Sequence, residues 1–173
     1  MYSKNSEKNS TIGLKKKGVS YKQAALSTRV TNSEMLKYLQ GRFFPELWSI
    51  VLIADYLECS VNELFGYPKT SCFRAVDRDS VATIEFPNRD IFDDYFRDRL
   101  RMFMAYLEVS VAELSDRSGI TEETIKMYLS VHRLVPRVTE LLKLCDALNI
   151  TPSDLLGYRY SSSRHKHFLL WKE

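Results

Sequence analysis

The residues best suited to chemistry are few in this chain and badly spaced for it. Cys59, Cys72 and Cys145 are odd in number and far apart, with no C-x-x-C pair. Such a set argues against a disulfide framework or a zinc site, and for small core side chains in a reducing compartment. His132 stands alone. His165 and His167 have no acidic or cysteine neighbour at metal-ligand spacing, so no metal is expected. Asp93 and Asp94 point apart if they lie on a helix, and Asp77 and Asp79 sit in a stretch of scattered charge where solvation is the simpler reading. The six glycines form no phosphate loop, and G-x-S-x-G and H-E-x-x-H are absent. The chain reads as a non-enzyme that needs no cofactor.

Charge is more informative. The net charge of +3 is modest, but residues 1–67 hold nine Lys/Arg against six Asp/Glu, while the remainder is balanced. An anionic partner is therefore expected at the first 67 residues. Within them, Lys15, Lys16 and Lys17 are either a solvated run or a phosphate counter-charge. No apolar stretch approaches the roughly 18 residues that span a bilayer, and the polar, lysine-rich start lacks the apolar segment of a secretory signal. A cytoplasmic protein without a membrane partner is expected.

The elements that would position any site come from an internal repeat. Residues 19–39 (VSYKQAALSTRVTNSEMLKYL) align without a gap on residues 109–129 (VSVAELSDRSGITEETIKMYL) at an offset of 90. After one extra residue near Pro136, residues 47–67 align on 138–158 at an offset of 91, and both copies close with Leu-x-Gly-Tyr. Two copies of about 50 residues indicate a duplicated globular domain rather than a solenoid.

Each copy reads as helical. In the first, Ser20 starts a helix over 22–28. Thr31 and Glu34 form a capping box before a helix whose apolar face is Met35, Leu36 and Leu39. Leu47, Ile50, Val51, Ala54 and Leu57 mark one buried face of a third helix. Ser60 and Glu63 cap a short last one, which Gly66 ends. In the second copy Thr121 caps 122–129, and Val138, Leu141, Leu142, Cys145 and Leu148 make the matching stripe. Thr151 and Pro152 start the last helix and Gly157 stops it. Phe92, Tyr95, Phe96, Leu100, Phe103, Met104 and Leu107 predict a further helix over 91–107, read as core. Its counterpart before the first copy has only Ile12 and Leu14, and Gly13 weakens it. Residues 68–90 read as a linker, with a short strand suggested at 80–86.

The order helix, tight turn, capped helix and two more helices resembles the Cro/lambda-repressor-like (XRE-family) helix-turn-helix domain. The residues that carry the resemblance are Val19-Ser20, Ala25, Val30-Thr31, Tyr38, Gly41 and Pro45, then the ending at 60–66. In the second copy they are Val109-Ser110, Leu114-Ser115, Gly119-Ile120-Thr121 and the ending at 151–157. It implies an all-α chain of two tandem five-helix domains: residues 1–67, a linker at 68–90, residues 91–158, and a C-terminal tail at 159–173. Arg29 stands where the second copy has Gly119, and a left-handed turn there would carry modest strain of about 1 kcal/mol.

The resemblance further implies a sequence-specific transcriptional regulator on double-stranded DNA, with the helix after the turn in the major groove. Base contacts would then fall to Asn32, Ser33, Glu34 and Lys37, with Glu34 shared between cap and base. Asn pairs with adenine and Lys donates to guanine. Phosphate contacts would fall to Ser20, Tyr21, Lys22 and Gln23 at the start of the preceding helix, and to Lys15, Lys16, Lys17, Arg29, Thr31 and Arg42. The corresponding residues of the second copy are Thr121, Glu122, Glu123, Thr124 and Met127. Two carboxylates there would repel phosphate, although Glu accepts from cytosine N4 and acids also suit a helix start. The second copy is therefore expected to bind DNA weakly and to serve for docking or dimerisation, with Arg117, Arg133 and Arg137 within reach of a backbone. Such proteins act as dimers on two half-sites, and here the second half-site could be met by another chain or by the second domain. A protein-interaction adaptor or antitoxin-like module on the same scaffold is the alternative. The tail ends in Phe168, Leu169, Leu170 and Trp171, which either pack back or contact a protein partner.

Overall fold

Local signals account for most of the observed helices. The computed structural model describes residues 20–67 apart from 29, 41, 43 and 58, then 89–130 and 134–157. Among the described residues every regular element is a helix. They are α1 (Tyr21–Ser27), α2 (Asn32–Leu39), α3 (Leu47–Tyr56), α4 (Val61–Phe65), α5 (Arg89–Tyr106), α6 (Val111–Ser118), α7 (Glu122–Tyr128), α8 (Val138–Leu148) and α9 (Pro152–Leu156). No described helix is long and apolar enough to cross a membrane.

The repeat is legible in the starts. Ser20, Thr31, Ser60, Ser110, Thr121 and Thr151 each accept an N–H from the third helical residue, satisfying a backbone donor that the helix itself leaves open. Gly66, Gly119 and Gly157 end α4, α6 and α9 with φ of 61°, 66° and 64°, a region where a side chain is strained.

The same register governs burial. Leu47, Ile50, Val51, Ile53 and Ala54 on α3 are buried, and so are Val138, Leu141, Leu142, Leu144 and Cys145 at their aligned positions on α8. Met35 and Ile125 anchor α2 and α7, while Val30 and Ile120 plug the preceding turns. Each large side chain removed from water in this way stabilises the fold by roughly 1.5–3 kcal/mol. Cys145 is buried and Cys59 half-buried.

Three expectations need correction. Leu36 is 39% exposed, so the inward face of α2 rests on Met35 with half-buried Tyr38 and Leu39. A two-turn helix lying on a surface cannot bury three consecutive rows. The helix expected from 91 begins at Arg89, inside the stretch read as linker. On it, Phe92, Phe96, Leu100, Phe103 and Met104 are buried as expected, but Tyr95 is only half-buried, as is Leu107 just past its end. Asp93 and Asp94 do diverge: Asp93 is buried near Arg89, and Asp94 pairs with Arg97 at 2.7 Å. The strand at 80–86, the early helix around Ile12, Cys72, His132 and the tail lie outside the described residues.

The two sets of helices touch directly. α4 packs against α9. Across that seam the Asn62 N–H donates to Ser153 Oγ at 3.3 Å, and the Ser153 N–H donates to Asn62 Oδ1 at 2.9 Å. The Tyr67 hydroxyl donates to Asp146 Oδ1 at 2.7 Å. α5 bridges both sets. Phe92 meets Trp48 at 5.6 Å between ring centroids, and Arg89 pairs with Glu46 at 2.9 Å. Further along, Arg99 donates through Nε and Nη2 to the Asp154 carbonyl at 2.8 and 2.6 Å, and its guanidinium lies over Tyr95 and Phe103. One continuous apolar core results.

Candidate nucleic-acid interface

Two short capped helices, α2 and α7, each follow a turn and present a face to solvent, and their chemistry differs. In the second unit, α6 ends at Gly119, whose added Cβ would meet open space. The Ser115 hydroxyl donates to the Ile120 carbonyl at 2.7 Å, and the Ile120 N–H donates to Ser118 Oγ at 3.2 Å. These bonds hold the turn while Ile120 plugs it into the core. The small Ser115 thus both permits the close crossing and fixes the turn.

In the first unit Ala25 is buried, and the Val30 N–H donates to its carbonyl at 3.2 Å. The buried Thr28 hydroxyl bonds back to the Ala24 carbonyl at 2.8 Å. Thr28 and Ser118 are aligned, and both are buried hydroxyls. Sequence reasoning passed over them, though the shared small polar type at one register was visible.

Most of the residues assigned to bases sit on an open face. Asn32, Ser33 and Lys37 are exposed on α2. Glu34 is exposed too, but one of its oxygens is committed. Oε2 accepts from the Thr31 N–H at 3.1 Å and from the Thr31 hydroxyl at 2.6 Å. Those bonds, with the Lys37 charge a smaller contributor, hold its carboxyl below the usual carboxylate range. Glu34 therefore stays an anion that orders the helix start, with its second oxygen outside the cap. Tyr38 turns inward, where burial and then Glu34 and Glu46 push its hydroxyl pKa up.

The residues assigned to phosphate divide. Lys22 and Arg42 are exposed, and Tyr21 is half-buried against the core. Ser20 and Gln23 form a reciprocal cap: the Ser20 N–H donates to Gln23 Oε1 at 2.9 Å, and the Gln23 N–H to Ser20 Oγ at 3.3 Å. That cap uses Oε1 and leaves the Gln23 amide nitrogen outside it. Lys15, Lys16, Lys17 and Arg29, with the strain expected at Arg29, lie outside the described residues.

On α7 the charge is less one-sided than its sequence suggested. Glu122 pairs with Lys126 at 2.9 Å, one turn on, in the favourable order of acid before base. That bond raises the Lys126 pKa. Glu123 is exposed, Met127 is 49% exposed, and the Thr124 hydroxyl bonds Thr121 at 2.9 Å. Tyr128 repeats Tyr38 by pointing inward, and its pKa is raised by burial first and Glu140 second. Arg117 stands within 3.8 Å of Glu113 and so is not a lone cation, Arg137 is exposed, and Arg133 lies outside the described residues. Among the described residues no cluster of His, Cys, Asp and Glu could hold a metal.

Residues 99–159 match the family model of the Cro/C1-type HTH DNA-binding domain. The matched stretch takes in the C-terminal part of α5, from residue 99, and all of α6, α7, α8 and α9. No curated protein and no solved structure matches the chain.

Proposed function

We propose that this protein is a sequence-specific, DNA-binding transcriptional regulator with two domains of one kind, residues 1–67 and 89–158, joined by residues 68–88. The observation that carries the reading is the exposed, capped helix after a tight turn, found inside the matched stretch at α7 and repeated in the same register at α2. Such a helix fits the major groove with its first residues at base edges. α2 has the better chemistry for it. Asn32 and Lys37 are an amide and a cation on an open face, and Lys22 and Arg42 add attraction that does not depend on sequence. Asn32, Ser33 and Lys37 are the base-reading side chains, while Glu34 chiefly orders the helix that carries them.

The adaptor reading is favoured by one observation on α7, where Glu122 and Glu123 are joined by exposed Met127. That face suits a protein partner better than a phosphate backbone. Titration of the full chain with random duplex at increasing salt decides between the two. DNA binding predicts log Kd rising linearly with log salt, by about 0.9 for each phosphate contact. A chain that ignores duplex at low salt is an adaptor.

A further inference from the structure

We infer that the chain is its own dimer: the two units meet about an internal quasi-two-fold axis, so that one molecule addresses both halves of a two-part DNA site whose halves differ. The inference rests on the DNA-binding reading above and adds the class of site and the stoichiometry.

The seam carries it. A two-fold interface is recognised by reciprocity, in which residue i meets j and j meets i, with a residue near the axis meeting its own counterpart. Asn62 and Ser153 are counterparts at the repeat offset of 91, each the second residue of its short helix. The backbone N–H of each donates to the side chain of the other, at 3.3 and 2.9 Å. Two domains docked at an arbitrary angle would not bring aligned positions together and exchange bonds between them. The Tyr67 contact agrees. Tyr67 closes the first copy and reaches Asp146 on α8 of the second. The sequence holds the same two residue types at the aligned positions, Tyr158 and Asp55.

Reciprocity at the seam has a functional consequence. A two-fold operation that superposes α4 on α9 also carries α2 onto α7, so the two reading helices are arranged as in a symmetric dimer. Their side chains are not alike. Asn32, Ser33 and Lys37 stand at the positions that Glu122, Glu123 and Met127 hold in the second copy. A homodimer reads the same bases twice and selects a palindrome. This chain would read one half with an amide and a cation, and the other with acceptors suited to cytosine N4. α5 adds to the arrangement by tying Trp48 and Glu46 of the first unit to the Asp154 carbonyl of the second.

The test is selection of bound sequences from random duplex by the full chain, followed by native mass measurement of the complex. The expected result is one chain per duplex and a bipartite motif without palindromic symmetry. Its halves should be centred about one helical turn, roughly 10 base pairs, or a multiple apart. Asn32→Ala should flatten one half-motif and spare the other. The double change Glu122→Ala and Glu123→Ala should do the reverse, with affinity held within a few fold. Two chains on a palindrome, or one chain with a single half-motif, overturns the inference and leaves the DNA-binding reading standing. Recovery of no duplex at low salt removes that reading, and the inference with it.

Discussion

The bond between Tyr67 and Asp146 allows the seam to be weighed with little disturbance elsewhere. Tyr67 is buried, its hydroxyl donates to Asp146 Oδ1 at 2.7 Å, and its second contact, to the Ile150 carbonyl, is at 3.5 Å. Tyr67→Phe keeps the ring, so no cavity opens and the loss is that of a hydrogen bond. A bond to a carboxylate contributes about 1.5–3 kcal/mol. Asp146 is exposed, so water replaces part of what it loses, and the lower end, about 1.5 kcal/mol, is the expected cost. For a chain of this size that is a fall in Tm of roughly 3–6 °C. A double-mutant cycle with Asp146→Ala, followed by circular dichroism in urea, isolates the pair from everything else either residue touches. The coupling should be about 1–1.5 kcal/mol. Strict additivity would refute the argument, because it would mean that the hydroxyl and the carboxylate do not share a bond and that the seam lacks its flanking contact.

Three further outcomes follow from the geometry. Gly119→Ala meets open space and should lose only the strain of a left-handed alanine, about 1 kcal/mol. Gly157→Ala adds a Cβ 2.4 Å from the Tyr95 ring, whose hydroxyl accepts from Arg99 at 3.2 Å, and should cost about 1–3 kcal/mol more. Equal losses in urea titrations would show that Tyr95 moves aside freely. Lys37→Ala should relax base preference, whereas Lys22→Ala should weaken all sequences alike and reduce the salt slope by about 1; competition binding with specific and random duplex separates them. Glu34 has a folded pKa below its ordinary value of 4.5, so its contribution is present above that pH and fades as pH falls through the lowered value. Followed by the Thr31 amide proton, the α2 cap should titrate with a midpoint under 4.5, and Glu34→Gln should abolish that transition. A midpoint at or above the ordinary value would contradict the cap.

Most of the helical grammar could be read from the chain because it is local. Thr31 with Glu34, Ser60 with Glu63, Pro152 after Thr151 and the glycines at 66, 119 and 157 act within one turn of themselves. The α3 and α8 stripes were legible because each helix buries one face at constant period. Leu36 was misjudged because periodicity marks a side of the helix but not how much of a two-turn helix the rest of the fold covers. The Glu34 cap was legible from its spacing to Thr31, whereas the commitment of Gln23 Oε1 to Ser20 emerges only in the geometry, although Ser-x-x-Gln has the same spacing. The salt bridge between Glu122 and Lys126 is legible at spacing i, i+4. The seam was the least legible part. Asn62, Ser153, Tyr67 and Asp146 act across some 80 to 90 residues of chain, and only the equal offsets of the two copies hint that counterparts would meet.

The most direct check on the central claim is an amide NMR titration of the full chain with a short duplex at low salt. Thr31, Asn32, Ser33 and Lys37 should shift or broaden first, with Lys22 and Gln23 beside them. Perturbation confined to surfaces away from α1 and α2, or spectra unchanged by duplex, would contradict the assignment of α2 as the helix that meets DNA.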